Sequence, residues 1–314
     1  MAFSTTVDSH LPDDAAVYHP HMHHHHHSHS TNSSSGSSSS SSSSPLASAS
    51  RKRPAAAPSV RERTVVVFDW DDTLCPSSWL HAQDLLPKFR GQQIDLDKHQ
   101  QNVLTLIADH VVRLLRKAVS FGPVFVVTAA EVGWVELSCA LYLPGVQAVL
   151  EMADIHIVSA RSWYEQTFGV GGDSSAWKYE VMQLIANKCF GHAAAALQQQ
   201  QQPPPMAPQP VEQDSDVGFF NFLSIGDSMA ERDACHSAAD QVPFTLAKTL
   251  KFVEQPTTEE IVQQVELTHD SFEQMCGWSS HLDLRLSRAQ LAELRWRHSA
   301  TSYHHQHPIS VRAD

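Results

Sequence analysis

The chain has 314 residues with 34 acidic against 22 basic side chains, a formal charge of −12, and its basic residues form no stripe, which argues against a nucleic-acid backbone as primary partner. No apolar run reaches the about 18 residues of a membrane span, and the amino terminus lacks the apolar core of a signal peptide, so an intracellular, cytoplasmic protein is expected. The five cysteines (Cys75, Cys139, Cys189, Cys235, Cys276) are odd in number and unpaired in spacing, which predicts reduced thiols rather than a disulfide framework.

Residues 1–62 hold few apolar groups, a His23–His27 tract flanked by His19, His21 and His29, and a Ser37–Ser44 run. Such a segment buries too little apolar surface to offset the entropy of ordering it, so a disordered tail is predicted. Its imidazoles are able to gather Zn²⁺ or Ni²⁺, although a homopolymeric run without selected function is the plainer reading. Arg51-Lys52-Arg53-Pro54 is either a nuclear address or solvated linker charge.

A folded domain is predicted over 63–290. Val65 to Phe68 is an uninterrupted run of β-formers, as suits a strand buried on both faces of a parallel sheet. Cys75 to Gln93 reads as a loop with one short helical turn. From Val103 to Val119 the residues Leu104, Ile107, Val111, Leu114, Leu115 and Ala118 recur at helical spacing, and Gly122-Pro123 ends that helix. Val124 to Val127 is a second strand, Val132 to Leu143 its crossover helix, Ile155 to Ser159 a third strand, Ala176 to Cys189 a helix, Phe219 to Ile225 a fourth strand and Phe244 to Phe252 a fifth. Thr257 and Glu260 have capping-box spacing ahead of a long helix with Ile261, Val265, Thr268, Phe272 and Met275 on its inner face. Ala, Gln and Pro runs mark 192–217 as a disordered insertion, and 291–314 as a flexible tail. The alternation predicts an α/β fold, a parallel sheet with helices on both faces.

The first strand stops at Asp69, and Asp69, Asp71 and Asp72 then concentrate negative charge where open α/β sheets bind ligands, at the carboxyl ends of the strands. Hard oxygen donors without His or Cys nearby favour Mg²⁺, and such sites usually work on phosphates. Three further features follow in order: Thr128 closing the second strand, Lys178 in the helix after the third, and Leu223-Ser-Ile-Gly-Asp227 ending the fourth.

Together, D-x-D-x-T at Asp69 to Thr73, Thr128, Lys178 and Asp227 resemble the haloacid dehalogenase (HAD) superfamily in its phosphatase branch, over residues 63–285. The resemblance implies a Rossmannoid fold and an Mg²⁺-dependent phosphoric monoester hydrolase. Asp69 would be the nucleophile forming an aspartyl-phosphate, Asp71 the general acid and base, Thr128 a donor to a phosphoryl oxygen, and Lys178 the partner of Asp69 and the phosphate. Mg²⁺ would be held by Asp69, the main-chain carbonyl of Asp71 and Asp227. An extended segment would return the Asp71 side chain to the side of Asp69. In the last motif, Glu231 four residues beyond Asp227 either supports the metal or compensates a helix dipole, and Asp233 is a solvated charge or a partner of Arg232.

Only 59 positions separate Asp69 from Thr128 and 50 separate Thr128 from Lys178, so no large folded cap fits in either gap. The resemblance is to the capless type, whose open cleft takes a small phosphorylated molecule or a phosphoprotein, or is covered by another subunit. Trp70, Trp79, Trp163 and Tyr164 either line the cleft or pack the core, and Arg161 either grips an anion or is a surface arginine. The competing class is a non-catalytic HAD-fold scaffold using its low-complexity segments for partners.

Overall fold

The computed structural model describes residues 61–89, 91–201 and 218–293. The His and Ser tracts, Arg51 to Pro54, residues 202–217 and the tail beyond 293 lie outside the described residues.

Six parallel strands form one sheet: β1 (Thr64–Asp69), β2 (Val124–Thr128), β3 (Ile155–Ser159), β4 (Phe220–Gly226), β5 (Thr245–Lys251) and β6 (Leu282–Arg285), in the order β3-β2-β1-β4-β5-β6. β1 lies centrally, with Val66 paired to Val124 of β2 and Leu223 of β4, and all six of its residues are buried. A central strand covered on both faces needs apolar side chains of both parities, hence its unbroken Val-Val-Val-Phe run.

Those parities divide the core in two. Val66 and Phe68 pack with α2 (Lys98–Phe121), α3 (Trp134–Tyr142), α4 (Pro144–Leu150) and α8 (Thr258–Gly277), while Val65 and Val67 pack with α5 (Ala160–Phe168), α6 (Ser174–Gln201) and α7 (Met229–Gln241). A short α1 (Ser77–Ala82) follows the first strand. The fold is therefore α/β and Rossmann-like, as expected. By the same parity Asp69 emerges on the α6 and α7 side.

Asp97 and Gln100 form a capping box at the start of α2, and Thr257 and Glu260 form the one predicted for α8, whose five inner-face residues are all buried. At the end of α2, Gly122 allows close passage: a Cβ there would sit 1.9 Å from the Thr64 carbonyl oxygen.

Several boundaries differ from expectation. The crossover between β2 and β3 is two helices, with Pro144 opening the second. α6 does not stop at Cys189 but runs to Gln201, with Phe190 and Ala194 buried, so the insertion predicted from 192 starts no earlier than 202. Ala and Gln are strong helix formers, and that propensity outweighs the low complexity of the run. Residues 288–293 are helical and Leu291 is buried, which carries the folded unit past the predicted boundary at 290. α5 and β6 were not anticipated, and α7 only as the helix that the dipole reading of Glu231 requires. Both spacings judged too short for a cap hold core elements: α1 and α2 in the first, α3, α4, β3 and α5 in the second. No helix of the described residues is long and apolar enough to cross a membrane. All five cysteines are free.

Candidate active site

β1 is followed by helices on one face of the sheet and β4 by α7 on the other. Adjacent parallel strands whose connections leave to opposite faces open a crevice at their carboxyl ends, the usual ligand position in such sheets. Asp69 ends β1 at that crevice and Asp227 directly follows β4.

Asp69 is buried, and Lys178, reaching over from α6, donates its ammonium to Asp69 Oδ1 at 2.7 Å. The same ammonium contacts Glu231 Oε1. Glu231 is the third residue of α7 and completes a capping box: its Oε2 accepts from the Ser228 amide at 3.0 Å and the Ser228 hydroxyl at 2.5 Å. Gly226 makes room for it, since a Cβ there would meet Glu231 Cγ at 2.6 Å. Asp227, half-buried, is steadied by Lys251, whose ammonium donates to the Asp227 carbonyl at 2.9 Å. One carboxylate oxygen each from Asp69, Asp227 and Glu231 lies within 4.8 Å of the others.

After Asp69 the chain turns instead of staying extended, because the Trp70 carbonyl accepts from the amides of Leu74 at 3.0 Å and Cys75 at 2.9 Å. Asp72 takes a left-handed φ of 55° within this turn, and its carboxylate accepts from the Ser78 amide and hydroxyl. The turn corrects the extended geometry expected of Asp71. Its carboxylate is gripped from the opposite side of the sheet, accepting from Ser77 Oγ at 2.6 Å and Trp134 Nε1 at 2.8 Å on Oδ1, and from Thr128 Oγ1 at 2.8 Å on Oδ2.

Electrostatics follow from burial. Desolvation pushes the Asp69 carboxyl well above the usual range, opposed by the Lys178 ammonium and reinforced by Glu231, Asp71 and Asp227. Burial, with Glu231 and Asp72, lifts Asp227 to about 7. Burial would raise Glu231 too, but Lys178 and the Ser228 hydroxyl hold it below the ordinary value. Lys178 loses solvation, yet Asp69 and Glu231 together keep it raised.

Were all three carboxylates ionised, they would exceed the Lys178 ammonium by two negative charges, the charge of one divalent cation; burial opposes that ionisation at Asp69 and Asp227. The donor set is all oxygen, and its spacing fits an ion with metal–oxygen distances of about 2.0–2.6 Å. Asp69, Asp227 and Glu231 thus fit a hard divalent metal.

Of the six predicted site residues, Asp69, Lys178, Asp227 and Glu231 come together in one cluster, whereas Asp71 and Thr128 are bonded to each other at 2.8 Å on the other side of the strand tips. Glu231 caps α7, and one of its carboxylate oxygens lies within 4.8 Å of those of Asp69 and Asp227. Asp233 is paired with Arg232 at 2.6 Å on the surface. Arg161 is a surface arginine, bonded to Glu165 at 3.0 Å and lying over Trp177. Trp70 is wholly buried, and Trp79 and Trp163 pack at the edges of the two cores. Sequence reasoning missed Ser77, Trp134 and Lys251. It also missed the capping role of Ser228, which the S-x-x-E spacing of Ser228 to Glu231 advertises; no pattern marks Trp134.

Compared with family models, curated proteins and solved structures, the chain finds no match.

Proposed function

We propose that this chain is a divalent-cation-dependent phosphatase that hydrolyses a phosphomonoester through an aspartyl-phosphate on Asp69. The observation that carries the reading is the meeting of Asp69, Asp227 and Glu231 within 4.8 Å, with Lys178 bonded to Asp69. It agrees with the resemblance of the D-x-D-x-T motif, Thr128, Lys178 and Asp227 to the HAD superfamily. A strand order of this kind also hosts dinucleotides, but those sites need a glycine-rich first turn for close approach to pyrophosphate, where this chain has Asp-Trp-Asp-Asp-Thr-Leu.

In this reading Asp69 attacks phosphorus in line, and the ester oxygen leaves with a proton from Asp71. Water then attacks the acyl phosphate and returns a proton to Asp71. Lys178 holds Asp69 in place and offers positive charge to the phosphoryl oxygens, and Thr128 supplies a hydroxyl to one of them. Mg²⁺, when bound by Asp69, Asp227, Glu231 and the Asp71 carbonyl, supplies countercharge for the phosphate and for ionised Asp69. Without a cap, the substrate is a small phosphorylated molecule or a phosphoprotein. The proposed compartment is the cytoplasm, in keeping with five free thiols.

The test is hydrolysis of p-nitrophenyl phosphate with Mg²⁺, with chelator, and with Asp69→Asn. The wild type should turn over with Mg²⁺, lose activity with EDTA, and fall at least about 1,000-fold in the variant. If wild type and variant are equally inert over phosphometabolites and phosphopeptides, a binding or scaffold role takes its place.

A further inference from the structure

We propose that Lys251 is a positioning residue for the metal cluster: from β5 it holds the peptide group that follows Asp227 and bonds Glu231, so that both carboxylates face one ion. This rests on the metal-dependent reading above. The Lys251 ammonium donates to the Asp227 carbonyl at 2.9 Å and the Phe252 carbonyl at 3.2 Å, and pairs with Glu254 Oε1 at 2.9 Å. An ammonium has three hydrogens, and three acceptors surround this one. None is left for a phosphoryl oxygen, which sets Lys251 apart from Lys178.

The direction in which a side chain leaves the backbone is set by the two peptide planes that meet at its Cα. Both planes at Asp227 are tethered. The Gly226 carbonyl accepts from the Phe252 amide at 2.8 Å, which fixes the plane before Asp227. The plane after it is held at both ends, the Asp227 carbonyl by Lys251 and the Ser228 amide by Glu231 Oε2 at 3.0 Å. Lys251 therefore bonds one end of a peptide group whose other end bonds a second carboxylate of the cluster. Without that bond the group is free to rotate, and Asp227 and Glu231 move with it. Lys251 has little freedom of its own: its main chain lies beside Gly226 of β4 and Arg285 of β6, and its carbonyl accepts from the Leu286 amide at 2.8 Å.

The charge of Lys251 works against this role, because an ammonium beside a cluster that takes a cation repels that cation. Glu254 offsets it, so the pair is close to neutral and what remains is the bond to the Asp227 carbonyl. The sign of the effect separates the two contributions. Where the bond dominates, removing Lys251 weakens Mg²⁺ binding; where the field dominates, removing it strengthens binding.

The experiment is a calorimetric titration of the full chain with Mg²⁺, beside thermal melting of the metal-free protein. Lys251→Met should weaken Mg²⁺ binding about 10-fold or more, the loss typical of removing a group that orients a metal ligand. Glu254→Gln, which bares the lysine's charge but keeps its bond, should change binding by less than about 3-fold. In p-nitrophenyl phosphate hydrolysis by Lys251→Met, the Mg²⁺ concentration for half-activation should rise by the same factor as the dissociation constant, with a smaller change in kcat at saturating Mg²⁺. A lysine with a merely structural role would lower the melting temperature and leave the dissociation constant unmoved. Lys251→Gln, one atom too short for the Asp227 carbonyl, decides the matter by the same readout if Lys251→Met fails to fold. Unchanged or tighter Mg²⁺ binding in the folded variant, or a loss confined to kcat at saturating Mg²⁺, overturns the proposal and leaves the phosphatase reading standing. A wild type that binds no Mg²⁺ and hydrolyses no ester removes that reading and this inference with it.

Discussion

Lys178 and Lys248 are both buried lysines, and their surroundings could hardly differ more. Lys178 lies between two carboxylates at the strand tips, and its charge is matched by charge. Lys248 sits on β5 with no exposed surface, and its ammonium donates to three main-chain carbonyls at the end of α8: Met275 at 2.9 Å, Cys276 at 2.7 Å and Trp278 at 2.6 Å. Its three hydrogens meet three carbonyls at a helix terminus, where main-chain acceptors go short of partners, although Met275 also accepts from the Trp278 amide at 3.4 Å. Hydrogen bonding is satisfied there, but no carboxylate balances the charge, and burial pulls the group down to about 8 with only the Cys276 thiol opposing. The contrast separates a built-in helix cap from a cluster in which three carboxylates share one ammonium.

The largest effect should come from Lys178→Met, which leaves Asp69 and Glu231 facing each other without their shared ammonium. Hydrolysis in the presence of Mg²⁺ should drop on the order of 1,000-fold, measured as kcat/KM. Retention of most activity would make Lys178 a cap-like residue and erase the distinction. Lys248→Met should do the reverse: the three carbonyls lose their donor and stability falls by about 2–4 kcal/mol in denaturant titrations, while kcat per folded molecule is kept.

Glu231→Gln keeps a side chain able to cap α7 but removes one negative charge from the cluster, so Mg²⁺ affinity by calorimetry should weaken about 10- to 100-fold. A pH series sharpens the Lys248 half. Its folded-state value of about 8 lies below the ordinary 10.5, so between these pH values the native chain has released a proton that the unfolded chain still holds. Unfolding then takes up a proton, and stability rises with pH across that window by at most about 1.4 kcal/mol per unit. Below pH 8 both states are charged and the contribution to the slope vanishes; Lys248→Met should lack it altogether. Smallest of all is Asp233→Ala, an exposed partner of Arg232, with a change under about 0.5 kcal/mol and no effect on metal binding.

The buried framework was legible because parallel strands and amphipathic helices write themselves as continuous runs and as three- and four-residue repeats. Val65 to Phe68, Val124 to Val127 and the inner face of α8 all follow that logic. Leu282–Arg285 escaped because an edge strand, half polar and largely exposed, carries no such run. The Ala and Gln stretch of α6 misled because composition was weighed above helix propensity. At the site, acids and the lysine were identifiable by type and order. Their hydrogen-bond assignments were not: whether Asp71 faces Lys178 or Trp134 depends on the turn after Trp70, and that turn is fixed by main-chain bonds that no side-chain pattern reports. Lys248 illustrates the same gap, since a lysine in a strand gives no sign that a helix will end on top of it.

The pairing of β1 with β4 joins positions 157 residues apart in the chain, and the carboxylate cluster exists only once that pairing has closed. A nascent polypeptide that has not yet released β4 from the ribosome therefore has half a cluster and no reason to hold an ion. Contacts of such long range form late and slowly, because the entropy of closing the intervening loop is lost before the contact returns anything. On the proposal above, a divalent ion would bind the native chain and not its precursors, and at ten times its dissociation constant it would add about 1.4 kcal/mol to the stability of the finished fold. Such an ion would act on the finished fold alone, as a late and modest addition to its stability.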